Sequence, residues 1–135
     1  MTDNTIITML RLDAAFNLAG GAALLAAAGW LAPHVGISAA WPLHLLAVAL
    51  LVNGVENLVV ARRRTAGRLA ALAAADLGFA AGVLALATVD PTGAASWVRW
   101  TLAVLGAATI AMASVKLAGR NQPVTPQAPT PLVDR

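Results

Sequence analysis

Apolar residues fill this chain in four blocks, and polar residues collect between the blocks. The blocks cover residues 12–31, 42–61, 69–89 and 95–117. Each is close to the about 20 residues that an α-helix needs to cross the hydrocarbon layer of a bilayer. The pattern predicts an all-α, polytopic membrane protein, in which residues 1–120 form an antiparallel bundle of four transmembrane helices.

The polar connections contain residues that interrupt helices. The segment 32–36 (APHVG) is expected to end the first span, because proline cannot continue the backbone hydrogen bonds. Pro42 is a favourable first-turn residue and is expected to begin the second span. Residues 90–93 (DPTG) predict a turn after the third span. Gly119 is expected to stop the fourth span.

The C-terminal residues 121–135 differ from the rest of the chain. They carry four prolines and few large apolar residues, so we expect a disordered or extended cytoplasmic tail. A partner-binding PxxP motif is the alternative, since residues 123–126 and 126–129 both fit it. The solvated tail is the favoured interpretation.

Composition supports a membrane protein. The chain is 59% hydrophobic and 11% charged, whereas soluble domains are about a quarter charged. The absence of cysteine excludes disulfides, thiolate catalysis and cysteine-bound zinc. The net charge of +3 does not indicate nucleic-acid binding, because no basic stripe is interleaved with aromatic residues. Abundant alanine, with eight arginines and one lysine, indicates a GC-rich bacterial genome.

Basic residues and tryptophans lie at opposite ends of the apolar blocks. The positive-inside rule therefore places both termini and the 62–68 loop in the cytoplasm, against the anionic lipids of a bacterial inner membrane. Only Arg99 breaks this segregation. The cytoplasmic basic residues are Arg11, Arg62, Arg63, Arg64, Arg68, Lys116, Arg120 and Arg135, and the predicted outer interfacial belt is Trp30, Trp41, Trp97 and Trp100.

A cleaved signal peptide is the rival interpretation of the N-terminus. Arg11 would be its basic region, and residues 26–28 (AAA) would be its small-residue cleavage site. Asp13 and Asn17 at the start of the apolar stretch argue against cleavage, as do the alanine runs elsewhere in the chain. Cleavage would leave the topology of the other three spans unchanged.

Polar residues inside the spans share the cytoplasmic half of the membrane. Residues three or four apart on a helix lie on one face, and at about 1.5 Å per residue Glu56 lies about 9 Å from Arg62 along its helix. We predict one intramembrane cluster, with two candidate counter-ions. The cluster is Asp13, Asn17, Asn53, Glu56, Asn57 and Asp76, and the counter-ions are Arg11 and Lys116.

The predicted cluster has two interpretations. A charged side chain near the bilayer centre costs about 2.5–3.5 kcal/mol. Three carboxylates against two cations would leave one acid, Asp76 or Glu56, without a cation, and burial would favour its neutral form. The cluster is then either a proton or cation pathway or a dry polar interface between helices. The dry interface is favoured, because the outer half of the spans offers no comparable polar ladder.

Other candidate sites are weaker. His34 and His44 both lie at the outer rim, so they are interpreted as interfacial residues, with an outer-edge metal site as the alternative; haem ligation would need them to face each other inside the bundle. Residues 78–82 match the small-xxx-small pattern and are expected to pack within the bundle rather than across a dimer. No phosphate loop or nucleophile motif is present in the sequence, and we predict no cofactor or metal.

Two short elements carry a resemblance to known proteins. Residues 10–15 (LRLDAA), followed by a glycine-bearing helix, and residues 61–63 (ARR) are similar to short bacterial four-helix integral membrane proteins of uncharacterised function. The resemblance covers the four spans but not the tail. It implies a four-helix bundle and no activity.

Two better-known families differ from this chain at their essential residues. Small multidrug-resistance transporters resemble it in size and helix number, but their essential acid is a glutamate in the first span, where this chain has Asp13 near the edge. Membrane-associated glutathione-metabolising enzymes have an Asn-x-x-Glu element similar to Asn53–Glu56. Their accompanying arginine is absent here, since Ala49 and Leu50 precede the element.

Three functional hypotheses follow. The leading one is a non-enzymatic accessory or scaffold subunit that binds a protein partner, or a second copy of itself, through helix contacts or its basic cytoplasmic face. The alternative is a small proton- or cation-coupled transporter that uses Asp76 and Glu56. A membrane-embedded enzyme is the third.

Overall fold

The computed structural model describes residues 3–89 and 96–121, and these residues form four long helices. The helices are α1 (Asp3–His34), α2 (Trp41–Arg62), α3 (Ala66–Val89) and α4 (Ser96–Arg120). All four are long and apolar enough to cross a membrane, which confirms the predicted all-helical class. The turn predicted at 90–93 and residues 122–135 of the predicted tail lie outside the described residues.

A glycine cap ends α1. The helix continues through Pro33 to His34, and Gly36 then adopts a left-handed conformation with φ of 75°. The Ile37 amide donates to the Ala32 carbonyl at 2.9 Å, and the Gly36 amide donates to the Pro33 carbonyl at 3.4 Å. These two bonds are those of a Schellman motif, which glycine favours because it has no Cβ. Within the break predicted over 32–36, Gly36 therefore sets the stop and Pro33 lies in the last turn.

Pro42 lies in the first turn of α2, as predicted. A first-turn amide has no partner within its own helix, so proline loses no hydrogen bond there. Ala40 precedes the helix without a side-chain cap. The short segment between α1 and α2 packs on the helix ends, since Val35, Ile37 and Ala40 contact a buried cluster of Ala28, Ala32 and Leu43.

The helices pack in two close pairs, α1 with α2 and α3 with α4, and glycines allow the close approach. A Cβ at Gly21 would lie 2.9 Å from the Ala47 carbonyl oxygen. A Cβ at Gly54 would lie 2.7 Å from Leu18 Cγ, and one at Gly106 would lie 2.7 Å from Leu84 Cγ. Small residues let helix backbones come together in this way and increase the van der Waals contact between them.

Two glycine predictions were wrong. Gly78 and Gly82 are exposed, and a Cβ at either would meet no atom within 4 Å, so this pair does not pack within the protein. Gly119 does not stop α4, which continues to Arg120; a Cβ at Gly119 would lie 3.0 Å from Ile6 Cδ1. A local pattern identifies small residues, but the neighbouring helices decide which of them face inward.

The two helix pairs meet at one end of the molecule. There, Ile6 and Leu10 of α1 form a buried apolar cluster with Val60 of α2 and with Leu69 and Leu72 of α3. This end carries the 62–68 loop, and we call it the basic end. Contacts of α1 with α4 and of α2 with α3 are much sparser than those within each pair.

Substitution at adjacent glycines of α1 tests the close approach. Gly21→Ala is expected to destabilise the protein by about 1–3 kcal/mol, because its methyl group would meet a backbone carbonyl that cannot rotate away. Gly20→Ala is the matched control: a Cβ there meets nothing within 4 Å, and alanine gains up to about 1 kcal/mol in helix propensity. Thermal unfolding in detergent, followed by circular dichroism, measures both. Equal shifts in the two variants would contradict the α1–α2 contact.

Candidate functional site: a buried lysine between two aspartates

The site is built around Lys116 of α4, whose side chain is 1% exposed. Its Nζ donates to Asp13 Oδ2 of α1 and to Asp76 Oδ2 of α3, each at 2.6 Å. Charge-assisted hydrogen bonds of this length are about twice as strong as neutral ones. Lys116 therefore joins its own helix pair to α1 of the other pair.

Asparagine side chains hold the free oxygens of the two aspartates. Asn17 Nδ2 donates to Asp13 Oδ1 at 2.8 Å and also to the Asp13 carbonyl at 2.8 Å, because the two residues are one turn apart. Asn53 Nδ2 of α2 lies 3.4 Å from Asp76 Oδ1, a longer and weaker contact. The network therefore reaches all four helices.

Asn57 extends the network by one more turn of α2. Its Nδ2 donates to the Asn53 carbonyl at 2.9 Å and lies 3.4 Å from Asn53 Oδ1. Its own Oδ1 is buried with no hydrogen-bond partner among the described residues. Asn57 thus orients Asn53, which in turn contacts Asp76.

The charges of the buried centre do not cancel. Asp13 and Asp76 supply two negative charges when ionised, and Lys116 supplies one positive charge. One negative charge therefore remains in a region where the side chains of Lys116 and Asp76 are almost fully buried. Burying an unbalanced charge is costly, so this centre favours a further proton or cation.

Six of the residues singled out from the sequence come together, and two do not. Asp13, Asn17, Asn53, Asn57, Asp76 and Lys116 form the network. Glu56 and Arg11 are both exposed on their helices. Gly54 and Asn57 form the buried face of α2, and Glu56 lies beside that face rather than on it.

A cavity of about 520 Å³ adjoins the network. All four helices contribute to its lining, and the polar lining residues are Asp13, Asn17, Asn53, Asp76 and Thr109. Its walls are apolar and include two aromatic rings and two methionines. These residues are Phe16, Phe79, Met9 and Met112. Nothing in the sequence distinguishes these wall residues from the other apolar residues of the helices.

A second cavity, of about 480 Å³, lies between α2 and α3. Glu56 and Arg68 line it. Ala49, Asn53 and Ala75 line both cavities, so Asn53 stands between the Glu56 side and Asp76. Glu56 is thus near the network without belonging to it.

The basic loop and the tryptophans lie away from this centre. Arg62, Arg63 and Arg68 are exposed, and Arg64 is half-buried. The four tryptophans, Trp30, Trp41, Trp97 and Trp100, are all exposed.

The two histidines lie apart from the network as well. His34 Nδ1 lies 2.7 Å from the Trp30 carbonyl, and its ring packs on the Trp30 ring with centroids 4.5 Å apart. His44 is exposed on α2. Over residues 3–89 and 96–121, no three histidine, aspartate or glutamate side chains form a group that could hold a metal ion.

No protein-family model, curated protein or solved structure matches this chain. What the protein does is therefore inferred from its own residues.

Removal of Lys116 tests its role in the buried centre. Lys116→Met is expected to destabilise the protein by about 3–5 kcal/mol, since it leaves the buried Asp76 and the half-buried Asp13 without their cation. Adding Asp13→Asn and Asp76→Asn to this variant removes both orphaned charges and is expected to restore part of the loss. Unfolding in mixed detergent micelles measures the difference.

Arg120→Met is the control for that experiment, because Arg120 is a cation one turn later on α4 but is exposed. It is expected to change stability little, as exposed charges contribute at most about 1 kcal/mol. If Lys116→Met behaved like Arg120→Met, the lysine would not hold the helices together.

Proposed function

We propose that this protein is a small proton- or cation-coupled transporter of a bacterial cytoplasmic membrane. Its ionisable centre is Asp13, Lys116 and Asp76, and its four helices span the membrane as an antiparallel bundle with both termini in the cytoplasm. The observation that carries the proposal is the excess negative charge of this buried centre beside a cavity of about 520 Å³. A dry structural ion pair needs neither the extra acid nor the cavity.

Helix contacts and charge distribution support the membrane topology. Gly21 of α1 approaches Ala47 of α2, and Leu18 of α1 approaches Gly54 of α2. The contact nearer the start of α1 therefore falls nearer the end of α2. That order is expected of antiparallel neighbours. The basic loop 62–68 and the tryptophans lie at opposite ends of the helices, in agreement with the positive-inside rule.

The transport step we propose is an exchange of partners at Lys116. In the described state Lys116 bonds to both aspartates. A proton or cation that arrives at Asp76 neutralises it, and Lys116 then retains only Asp13. The lost bond connects α4 to α3 within one helix pair, so Lys116 is then held by α1 of the other pair alone. Glu56 and Arg68 of the second cavity provide the cytoplasmic entry, with Asn53 between that cavity and Asp76.

Aqueous access to the centre is the first test. The chain has no cysteine, so Ala49→Cys and Ala75→Cys, which lie on both cavities, can be labelled singly with a membrane-impermeant maleimide. We expect rapid labelling in inside-out vesicles, because water reaches these positions from the cytoplasmic side. Val104→Cys is the control, as Val104 is exposed on α4 and would face lipid. If all three positions were equally protected from the maleimide, the core would be dry and the proposed pathway would be absent.

Proton flux is the second test. In proteoliposomes with a pH dye inside and a potential that drives protons inward, Asp76→Asn is expected to reduce acidification to the rate of protein-free liposomes. The substitution removes the carboxylate that, in the proposed step, takes up a proton and gives up its bond to Lys116. Ser114→Ala is the control, since the exposed Ser114 hydroxyl bonds only to the Ile110 carbonyl of its own helix, at 2.9 Å. Identical rates for the wild type and Asp76→Asn would exclude the proposed centre.

An accessory or scaffold subunit is the second candidate. The observation that favours it is the exposed small face of α3, where a Cβ at Gly78 or Gly82 meets nothing within 4 Å. A helix of another protein can approach such a surface closely. A dry core in the labelling experiment, together with stable copurification of a partner, would support this function over transport.

A further inference from the structure

The walls of the cavity that adjoins the buried centre suit an apolar ligand with a positive charge. Phe16 and Phe79 contribute aromatic rings, whose faces attract cations. Met9 and Met112 contribute flexible, polarisable side chains that adapt to ligands of different shape. The volume of about 520 Å³ is within the range of small-molecule sites, about 300–1,000 Å³.

The polar floor of the cavity sets the charge of the ligand. Asp13 and Asp76 line the cavity, and Lys116 neutralises only one of their two charges. The one negative charge that remains matches a ligand with a single positive charge.

The same floor is a poor site for a bare metal ion. Calcium takes about 6–8 oxygen ligands and magnesium requires octahedral coordination, whereas Lys116 occupies one oxygen of each aspartate and an asparagine contacts the other. An organic cation needs no such set of oxygens, because its charge is spread over apolar groups that the walls can contact.

The cavity reaches the surface between α1 and α4. Phe16 of α1 lines the cavity and is 66% exposed, and Ala108 of α4 lines it and is also exposed. In the proposed membrane topology this opening faces lipid rather than water. A ligand that partitions into the bilayer would reach the acids directly from there.

We infer that this cavity binds a lipophilic organic cation with one positive charge, held by the apolar walls and by the excess charge of Asp13 and Asp76. The inference rests on the proposed transporter function, to which it adds the chemical class of the cargo. Because Lys116 neutralises one of the two carboxylate charges, the site matches a ligand with one positive charge rather than two.

Binding of tetraphenylphosphonium to the protein in lipid nanodiscs tests the inference. Equilibrium dialysis is expected to show saturable binding of this cation. Tetraphenylborate, an anion of the same shape, is expected to bind only to the same extent as to empty nanodiscs. Saturable binding of both ions would mean that the cavity selects for apolar surface alone, and would overturn the inference.

Charge-changing variants sharpen the test. Asp76→Asn removes the excess negative charge and is expected to weaken tetraphenylphosphonium binding by about tenfold or more. Asp76→Asn combined with Lys116→Met restores one negative charge through Asp13, and its affinity is expected to return to within about threefold of the wild type, less than 1 kcal/mol. A loss of binding caused only by disturbed packing would be worse in the double variant than in the single one.

Folding of each variant is checked by gel filtration and thermal unfolding before binding is measured. If the double variant does not fold, Asp13→Asn with Lys116→Met provides the same net charge through Asp76. Unchanged binding in Asp76→Asn, or no recovery in a folded charge-restored variant, would overturn the inference.

The flux and binding measurements together also test the proposed cargo and the proposed transport function separately. Proton flux that depends on Asp76, without tetraphenylphosphonium binding, would reject the organic cation and keep the transporter. Charge-dependent binding of tetraphenylphosphonium without any flux would keep the binding site and reject transport.

Discussion

The burial of Lys116 between Asp13 and Asp76 is the interaction on which the rest of the site depends. A lysine with 1% exposure is stable only when its charge is paired, and its two bonds of 2.6 Å supply that pairing from two other helices. Because α1 and α4 have few other contacts, the position of one helix pair relative to the other depends strongly on the bond from Lys116 to Asp13. The same lysine thus organises the packing and defines the chemistry.

Close packing within each helix pair has a consequence for the space between the pairs. Gly21 and Gly54 bring α1 and α2 together, and Gly106 does the same for α4 and α3. The apolar cluster around Ile6 and Leu69 holds the pairs together at the basic end. Elsewhere their separation leaves room for the larger cavity, with the buried charges at its polar side. Two closely packed pairs, joined by this apolar cluster and by one ionic centre, suit the change of partners proposed for Lys116.

The ionic network also distinguishes between the polar residues of the helices. Asn17 and Asn53 contact the aspartates without adding charge, and Asn57 orients Asn53, so the excess charge stays in place. Glu56 lines the neighbouring cavity and is exposed. In the transport proposal the buried centre supplies the excess negative charge, and the exposed acid beside it supplies the entry.

The sequence by itself determined that four helices of membrane-spanning length are present and which ionisable residues lie in their apolar stretches, because length and hydropathy are local properties. It also predicted one intramembrane cluster with two candidate counter-ions. The predicted cluster was Asp13, Asn17, Asn53, Glu56, Asn57 and Asp76, and the counter-ions were Arg11 and Lys116. Only the tertiary structure decided that Lys116 takes both aspartates, that Glu56 and Arg11 stay outside, and that Gly21 and Gly54, rather than Gly78 and Gly82, allow close packing. The physical reason is that the rotation of a helix about its axis is set by the helices it contacts. The apolar and alanine residues of these helices do not by themselves mark which face is the inner one.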